Sequence, residues 1–347
     1  MMQKIFKIAI LLFLVVACAD EPVETVFFDL DTENGVYVSC EGNFMYGNGS
    51  LSFYNTETKK VTNQLFYARN NAPLGDVVQS LSMFQDLLFV VVNNSGKIYI
   101  ADAETAEYRG SVTGLTSPRY IHFLSEEKAY ISDLYSNEIT IIHPATFEIT
   151  GKIDLEGHTS EQMVQVGKYL FVTSWSDDEY VLIIDSETDE LIHKIKVPYQ
   201  PKDLEVDANG KIWVLSEGSY EDTNEQGRMP ALVRIDPQTF TIEQIYRFEA
   251  GQNPSSLEIN STGETLYFLN GSVWKMNIES RFLPDSALVP SSGNLFYNLA
   301  VHPEDDEIYI TDAIDYTQNA MIYRYSIKAE LIDSFRVGIN PSDFLFR

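Results

Sequence analysis

The mature part of the chain alternates apolar and polar residues in short runs, and this pattern predicts β-strands. Leu88–Val92, Lys97–Ala101 and Tyr169–Thr173 are clear examples. Tyr and Phe, which favour strands, each occur 20 times. No long window after the N-terminal segment has helical periodicity. The sequence therefore predicts an all-β protein.

A short turn signature recurs seven times, at intervals of 41 to 51 residues. Between two predicted strands, a polar residue is followed three positions later by Thr or Ser, and the last copy is degenerate. An Asp or Asn side chain favours a tight turn because it can bond the backbone two residues on. The copies are Asn55–Thr58, Asp102–Thr105, His143–Thr146, Asp185–Thr188, Asp236–Thr239, Asn277–Ser280 and Ser326–Ala329.

The repeats predict the architecture. Each repeat holds four predicted strands, which is typical of a propeller blade. Residues 26–347 are therefore predicted to form a seven-bladed β-propeller with four-stranded blades. The first repeat lacks an inner strand, and Asn340–Arg347 is a predicted inner strand with no blade after it. We expect this C-terminal strand to complete blade 1 and close the ring, which removes exposed strand edges. An open solenoid would leave both half-units unexplained.

The N-terminus indicates export. Lys4 and Lys7 precede the uncharged run Ile8–Val16, which is shorter than the roughly 20 residues of a membrane-spanning helix. Val15–Cys18 resembles a bacterial lipobox. We predict a signal peptide over residues 1–17, a lipidated Cys18 and a tether over residues 18–25. The alternative is an ordinary signal peptide with an incidental cysteine.

Charge and cysteine content narrow the partners. The formal net charge is −27, and removal of residues 1–17 deletes two lysines and no acid, which gives −29. A surface with this much negative charge repels phosphate backbones and anionic lipid. We therefore expect that the protein does not bind nucleic acid and that it contacts the membrane only through the anchor. Lipidation of Cys18 leaves Cys40 without a disulfide partner. We expect Cys40 to be a small core residue.

Propeller connectivity predicts where ligands bind. If strands A to D run outward from the axis, the D–A links and B–C loops share one rim, and the turn signatures lie on the other. The B–C loops and the starts of the A strands are rich in aromatic and amide side chains, and Lys202 and Ser255 also begin A strands. Aromatic and amide groups suit a large ligand that is partly apolar and forms many hydrogen bonds. The competing interpretation is that Tyr and Asn are common in β-protein loops. The predicted ligand-binding residues are Phe44, Tyr46, Gln79, Asn93, Asn94, Arg119, Tyr135, Gln162, Trp175, Tyr220, Arg228, Tyr297 and Tyr316.

No catalytic set is evident. The five histidines are scattered without metal-ligand spacing, and no nucleophile-elbow or phosphate-loop motif occurs. We therefore predict a protein without enzymatic activity, cofactor or required metal. Ca²⁺ binding at Asp177–Glu179, or at Asp312 with Asp315, stays open beside the default of a solvated acidic surface.

The residues resemble a known family. Phe89–Ile98 and the repeated turns resemble YncE-like propellers with YVTN-type repeats, and Leu74–Leu81 resembles the surface lipoprotein branch of that group in Bacteroidetes. Asp20 and Glu21, directly after the lipidated cysteine, resemble the surface-export signal of such lipoproteins, although a solvated tether explains them equally well. The resemblance implies a lipid-anchored outer-membrane protein that faces the cell surface.

The same branch includes BtuG-type proteins, which bind vitamin B12. The resemblance thus implies that the chain captures cobalamin or a related corrinoid and delivers it to a TonB-dependent outer-membrane transporter. One alternative is a surface propeller for a siderophore, a glycan or a protein partner. Another is a metal-dependent propeller lactonase or lyase, for which Asp133, Asp177 and Asp312 are the available rim carboxylates.

Overall fold

The computed structural model describes residues 34–219 and 228–347. Within these ranges the chain forms seven antiparallel sheets arranged as propeller blades, which confirms the predicted fold class. None of the helices in the described ranges is both long and apolar enough to cross a membrane. The predicted signal peptide, Cys18 and tether lie outside the described residues and stay predictions.

The strands follow each other from the axis outward in every blade. Blade 1 contains β27 (Pro341–Phe346), β1 (Gly35–Cys40), β2 (Ser50–Asn55) and β3 (Val61–Thr62). Blade 2 contains β4 (Val78–Phe84), β5 (Leu87–Val92), β6 (Lys97–Asp102) and β7 (Tyr108–Thr113). Blade 3 contains β8 (Pro118–Phe123), β9 (Ala129–Asp133), β10 (Glu138–Ile142) and β11 (Ile149–Asp154).

The remaining blades repeat this order. Blade 4 contains β12 (Met163–Val166), β13 (Tyr169–Ser174), β14 (Tyr180–Asp185) and β15 (Glu190–Lys196). Blade 5 contains β16 (Pro201–Val206), β17 (Ile212–Ser216), β18 (Ala231–Asp236) and β19 (Thr241–Arg247). Blade 6 contains β20 (Ser255–Ile259), β21 (Thr265–Asn270) and β22 (Ser272–Asn277). Blade 7 contains β23 (Phe296–Val301), β24 (Ile308–Asp312), β25 (Met321–Tyr325) and β26 (Leu331–Arg336).

The C-terminal strand closes the ring, as predicted. β27 pairs antiparallel with β1, with Val36 opposite Phe346 and Val38 opposite Phe344. The first and last parts of the chain therefore share one sheet. This pairing gives blade 1 an inner strand like those of the other blades, so neither end of the described chain is left as an incomplete sheet.

The recurrent turns join the third and fourth strands, on the rim that the sequence predicts. In blade 1, Asn55 Oδ1 accepts hydrogen bonds from the backbone N–H groups of Glu57 and Thr58 and from the Thr58 hydroxyl. Asp102 makes the same three bonds in blade 2. The repeated signature is thus a structural device, because its side chains are used to build the turn.

Blade 6 departs from the predicted four strands. After β22 the chain returns to this sheet only at Val289, which forms an isolated bridge with Val273. Pro284 and Pro290 lie in the segment that would form the fourth strand. Proline has no N–H to donate and is disfavoured inside a ladder, which explains why the strand does not form.

A short helix, α1 (Leu65–Asn70), was not predicted. It follows β3 and buries Leu65 and Phe66 against the core shared by blades 1 and 2. Six residues are too few for a helical period to stand out in the sequence, so packing and not propensity maintains this helix.

The core is divided among the blade interfaces. Seven buried apolar clusters each join residues of two neighbouring blades. One of them joins Val38 of blade 1 to Tyr309 of blade 7 across the closure, with Phe344 packed between. Cys40 is fully buried in the same cluster, as predicted for a small core residue.

We predict that Phe344→Ala destabilises the whole propeller. Phe344 is buried in the cluster that joins blades 1 and 7, so truncation should cost about 3–5 kcal/mol. Leu331→Ala is the control because Leu331, on the outer strand β26, is 57% exposed, and its loss should stay within about 0.5 kcal/mol. Chemical denaturation measures both, and equal midpoint shifts would contradict the role of the closing strand.

Candidate ligand-binding site at the axial mouth

A polar cavity of about 420 Å³ opens at the axis, on the rim formed by the D–A links and the B–C loops. This is the rim that the sequence analysis selected. Ligand pockets typically have volumes of roughly 300–1,000 Å³, so the cavity can enclose a small group or one part of a larger ligand. Of the 13 predicted residues, eight line it: Phe44, Gln79, Asn93, Arg119, Tyr135, Gln162, Trp175 and Tyr297.

The wall of the cavity is a ring of side chains from the starts of the seven inner strands, which we call the mouth ring. In six of these strands the mouth-ring residue is the second residue of the strand, and in blade 4 it directly precedes β12. All seven residues line the cavity. The mouth ring consists of Gln79, Arg119, Gln162, Lys202, Ser256, Tyr297 and Ser342.

β-Bulges aim the mouth ring at the axis. The pairing of β4 skips Gln79, the pairing of β16 skips Lys202, and the pairing of β27 skips Ser342. The inner strands β8, β20 and β23 have register shifts at the same place. Because a bulged residue leaves the ladder, its side chain is free to point out of the pleat. The repeated bulge therefore supplies the ring, and the alternation of the sequence gives no sign of it.

Hydrogen bonds connect the inner strands around the first half of the mouth. Asp343 of blade 1 accepts from the N–H of Leu81 in blade 2 at 2.8 Å, and Ser80 donates to the carbonyl of Arg119 in blade 3 at 2.6 Å. The Arg119 guanidinium then binds Glu161 at the start of blade 4. Each blade thus fixes the register of the next.

The second half of the mouth continues the circuit. Gln162 Oε1 accepts from the Leu204 N–H at 2.9 Å. Asp203 accepts from the Leu257 N–H at 3.3 Å, and the Ser256 hydroxyl donates to Asn298 at 2.7 Å. The Asn298 amide donates to the carbonyl of Ser342, which returns the circuit to blade 1. A site enclosed in this way is preorganised, because its side chains are already fixed before a ligand arrives.

Arg119 is held in place by a buried carboxylate. Its guanidinium meets Glu161 in a two-pronged contact at 2.6 and 2.7 Å, and it also donates to Gln79. The Glu161 side chain is fully buried. Burial alone opposes the charged form, but the Glu161 carboxylate outweighs it and raises the pKa of Arg119 above its ordinary value. The pair is therefore a fixed, internally neutral part of the wall.

Trp175 lies between the two cationic side chains of the cavity. Its ring centroid is 5.8 Å from the Arg119 guanidinium carbon and 5.2 Å from Lys202 Nζ. The indole N–H donates to Glu217 at 2.9 Å, and the other oxygen of Glu217 accepts from Lys202 at 2.8 Å. Glu217 thus both neutralises Lys202 and orients the indole of Trp175.

Four aromatic side chains stand exposed at this rim. Phe44 is 65% and Tyr135 is 69% exposed, although both line the cavity. Tyr46 and Tyr316 are also exposed, and Tyr316 contacts the ring of Tyr297. Exposed apolar groups collected on one face commonly mark a binding site.

Five predicted residues do not line the cavity. Tyr46 and Tyr316 lie on the surrounding rim, and Tyr220 lies outside the described residues. The Asn94 amide donates to Asp76, so this side chain stabilises its own loop. The Arg228 guanidinium packs on the ring of Tyr199 at 4.4 Å. Asn93 does line the cavity, but its amide already donates to Ser117 and to the Pro118 carbonyl.

The sequence analysis missed three carboxyl groups that line the cavity from the inner strands: Asp203, Glu258 and Asp343. Burial raises the pKa of Asp203 to about 6 and that of Asp343 to about 7. Burial and the nearby Glu205 raise the pKa of Glu258 well above its ordinary value. One signal was present in the sequence, since Pro201-Lys202-Asp203 and Pro341-Ser342-Asp343 share a Pro-x-Asp start.

Comparison with known proteins assigns the chain to a family. The domain-of-unknown-function family DUF5074 matches residues 34–346, which is nearly the whole described propeller. The chain belongs to the DUF5074 family. No curated protein matches it.

Solved structures are similar to this DUF5074 chain in fold. A quinoprotein alcohol dehydrogenase-like protein from Bacteroides thetaiotaomicron is 17% identical, with a TM-score of 0.70 over 91% of this chain and 78% of that one. A protein from Lactobacillus plantarum is 15% identical, with a TM-score of 0.67 over 90% and 99% of the two chains. The β-propeller domain of Myceliophteria thermophila Cps50 (Swd1) is 13% identical, with a TM-score of 0.61 over 84% and 97%. At such identities the likeness concerns the propeller alone.

The rim carboxylates of this DUF5074 chain are engaged in hydrogen bonds within the protein. Asp133 accepts hydrogen bonds from four backbone N–H groups. Asp177 accepts from the Tyr199 hydroxyl, and Asp312 accepts from two backbone N–H groups. His158 pairs with Asp178 at 2.6 Å. Within residues 34–219 and 228–347, no group of three or more His, Cys, Asp and Glu side chains has the geometry to hold a metal ion.

We predict that Glu161→Gln destabilises the fold far more than loss of a surface ion pair. The substitution leaves the Arg119 charge buried without its carboxylate, a change that typically costs about 3–5 kcal/mol. Glu138→Gln is the matched control because the Glu138–Lys152 pair is exposed, and it should cost about 1 kcal/mol or less. Equilibrium denaturation of the two variants tests this, and equal losses would show that the Arg119 pair does not stabilise the mouth.

Proposed function

We propose that this propeller is a non-catalytic surface lipoprotein that captures cobalamin or a related corrinoid at the axial mouth. The observation that carries the proposal is the combination at one rim of exposed aromatic rings with a hydrogen-bonding cavity. Phe44, Tyr135 and Trp175 offer apolar area, while Gln79 and Gln162 belong to the mouth ring. A corrinoid has a broad, partly apolar ring system with amide side chains, and it requires both kinds of contact.

The size of the cavity suits partial insertion. A volume of about 420 Å³ is too small to enclose a whole corrinoid, but it accommodates one edge of the ligand. The exposed rings of Phe44, Tyr135 and Tyr316 then contact the part that remains outside. This arrangement leaves one face of the bound ligand accessible, which transfer to a second protein requires.

The resemblance to BtuG-type lipoproteins supports delivery to a TonB-dependent outer-membrane transporter. The lipobox at Val15–Cys18 would anchor the propeller in the outer membrane, and the net charge of −29 that remains after removal of residues 1–17 keeps its body away from anionic lipid. Capture needs no reactive group, and Asp133, Asp177 and Asp312 are engaged in hydrogen bonds of the protein. We therefore propose binding and transfer without chemistry.

We predict tight one-to-one binding of cyanocobalamin to a soluble form that begins at Asp20, measured by isothermal titration calorimetry. Trp175→Ala and Tyr135→Ala should each weaken binding by about 2 kcal/mol, a roughly thirty-fold rise in Kd, because they remove central aromatic contacts. Tyr108→Ala is the control, since Tyr108 is an exposed tyrosine on the outer strand β7.

A ferric siderophore serves as the competing ligand in the same titration. Absence of heat with both cyanocobalamin and its precursor cobinamide would refute the corrinoid proposal. Heat with the siderophore alone would favour the alternative of a siderophore receptor. Equal weakening by Tyr108→Ala and Tyr135→Ala would move the site away from the mouth.

A further inference from the structure

The two cations of the cavity have no free charge to offer a ligand. Among the described residues that line the cavity, Arg119 and Lys202 are the basic side chains. Arg119 is paired with Glu161 at 2.6 Å and Lys202 with Glu217 at 2.8 Å. Both carboxylates are nearly or fully buried behind the wall. A close ion pair of this kind has little residual field, so the pairs do not form an anion site.

The remaining ionisable groups that line the cavity include four carboxyls, which we call the carboxyl floor: Glu41, Asp203, Glu258 and Asp343. Glu41 accepts from the Tyr297 hydroxyl at 2.9 Å, and Asp203 and Asp343 accept from backbone N–H groups. Their hydrogen-bond partners are neutral donors, and the two nearby cations, Arg119 and Lys202, are already paired with Glu161 and Glu217. Burial is the main cause of the raised pKa of all four groups.

A further acceptor of the same cavity lacks a donor. Asn340 lines the cavity, and its amide nitrogen donates to the carbonyl of Gly42 at 3.0 Å. Its Oδ1 atom is buried and has no hydrogen-bond partner among the described residues. A buried acceptor without a donor costs free energy, and a ligand that supplies the donor recovers it.

We propose that the carboxyl floor selects a ligand that inserts a neutral hydrogen-bond donor, in particular a primary amide, or a cation, and that it rejects an anionic group. An amide N–H₂ donates to an ionised carboxylate, and an amide also pairs with a protonated carboxyl by donating and accepting. A carboxylate or phosphate at the same place is repelled by the floor carboxyls that are ionised at neutral pH, such as Asp203 with a pKa of about 6, and it brings no donor to Asn340. The identity of the amide-bearing ligand rests on the corrinoid proposal, but the charge preference of the floor does not.

The charge preference of the carboxyl floor distinguishes among the ligand classes that the sequence left open. A corrinoid presents amide side chains at its edge and fits the floor. An acidic glycan or a siderophore that exposes carboxylates or catecholates does not fit it. The floor therefore favours the corrinoid over these alternatives on grounds that are independent of any resemblance.

A first experiment tests the floor without a ligand. The chain has three tryptophans, of which Trp213 is fully buried, so a Trp274→Phe variant makes Trp175 the reporter of the cavity. Its fluorescence is quenched with caesium, with iodide and with neutral acrylamide, and each quenching constant is divided by the constant that the same quencher gives with free indole. We expect the caesium-to-iodide ratio to be at least about two-fold higher at Trp175 than at Trp274, which is read in a Trp175→Phe variant.

The Trp274 reading corrects for the overall negative charge of the protein, because Trp274 lies on the same protein but away from the carboxyl floor. Asp203→Asn should lower the ratio at Trp175 at about pH 8, where the Asp203 carboxyl is ionised because burial raises its pKa only to about 6. Glu104→Gln removes an exposed acid from the turn at Asp102, on the rim opposite the cavity, and should leave the ratio unchanged. A ratio at Trp175 no higher than at Trp274, or one insensitive to Asp203→Asn, would overturn the inference.

A second experiment tests selection on the ligand itself. Cyanocobalamin is compared with the set of its monocarboxylates, in each of which one peripheral amide is replaced by a carboxylate. At least one isomer should bind roughly ten-fold or more weakly than the parent, and Asp203→Asn should restore part of that loss. If every isomer binds as tightly as cyanocobalamin, the floor does not select. If the parent itself does not bind, the corrinoid proposal fails and the quenching result still decides the charge preference.

Discussion

The pairing of β27 with β1 is the constraint on which the rest of the molecule depends. It joins the two ends of the described chain in one sheet, so that blade 1 exists only when both are present. With blade 1 complete, the apolar cluster between blades 7 and 1 forms like the other six. The hydrogen-bond circuit of the mouth also depends on it, because Ser342 and Asp343 belong to β27. A site at the axis is therefore available only in the closed ring.

The mouth combines a rigid wall with a charged floor, and these two features have different origins. Bulges at the start of six inner strands aim the mouth ring inward, and bonds between neighbouring strands fix it there. The carboxyl floor lines the same cavity. Buried carboxyls destabilise the folded state. The propeller tolerates these carboxyls because they line an open cavity and do not lie in the apolar cores between the blades. Such a design suits recognition, in which a ligand supplies the missing donors.

The features that the sequence predicted are those with local signals. The turns at Asn55 and Asp102 are encoded by a side chain and the backbone within three residues. The unpaired C-terminal strand could pair only with the blade that lacked an inner strand, which is blade 1. The same topology brought eight of the predicted residues to one cavity. The role of these residues in binding stays a prediction.

The features that the sequence did not predict arise between distant residues. The partners of Arg119 and Lys202 are 42 and 15 residues away, and the alternation that identifies a strand gives no sign of them. A bulge shifts every facing side chain by one position, so the alternation of the sequence does not place Asp203 and Asp343 in the cavity. The missing strand of blade 6 was obscured by a turn signature that is intact at Asn277. Pro284 and Pro290, further along the chain, prevent the fourth strand of blade 6 from forming.

The most direct test of the account is hydrogen–deuterium exchange of the protein with and without cyanocobalamin, because the axial mouth is its central claim. The account predicts that protection is concentrated in the B–C loops and inner-strand starts that line the cavity, around Phe44, Tyr135 and Trp175. The turns at Asp102 and Asp236 on the opposite rim should be unchanged. Protection confined to that opposite rim, or to the outer strands, would contradict a binding site at the axial mouth.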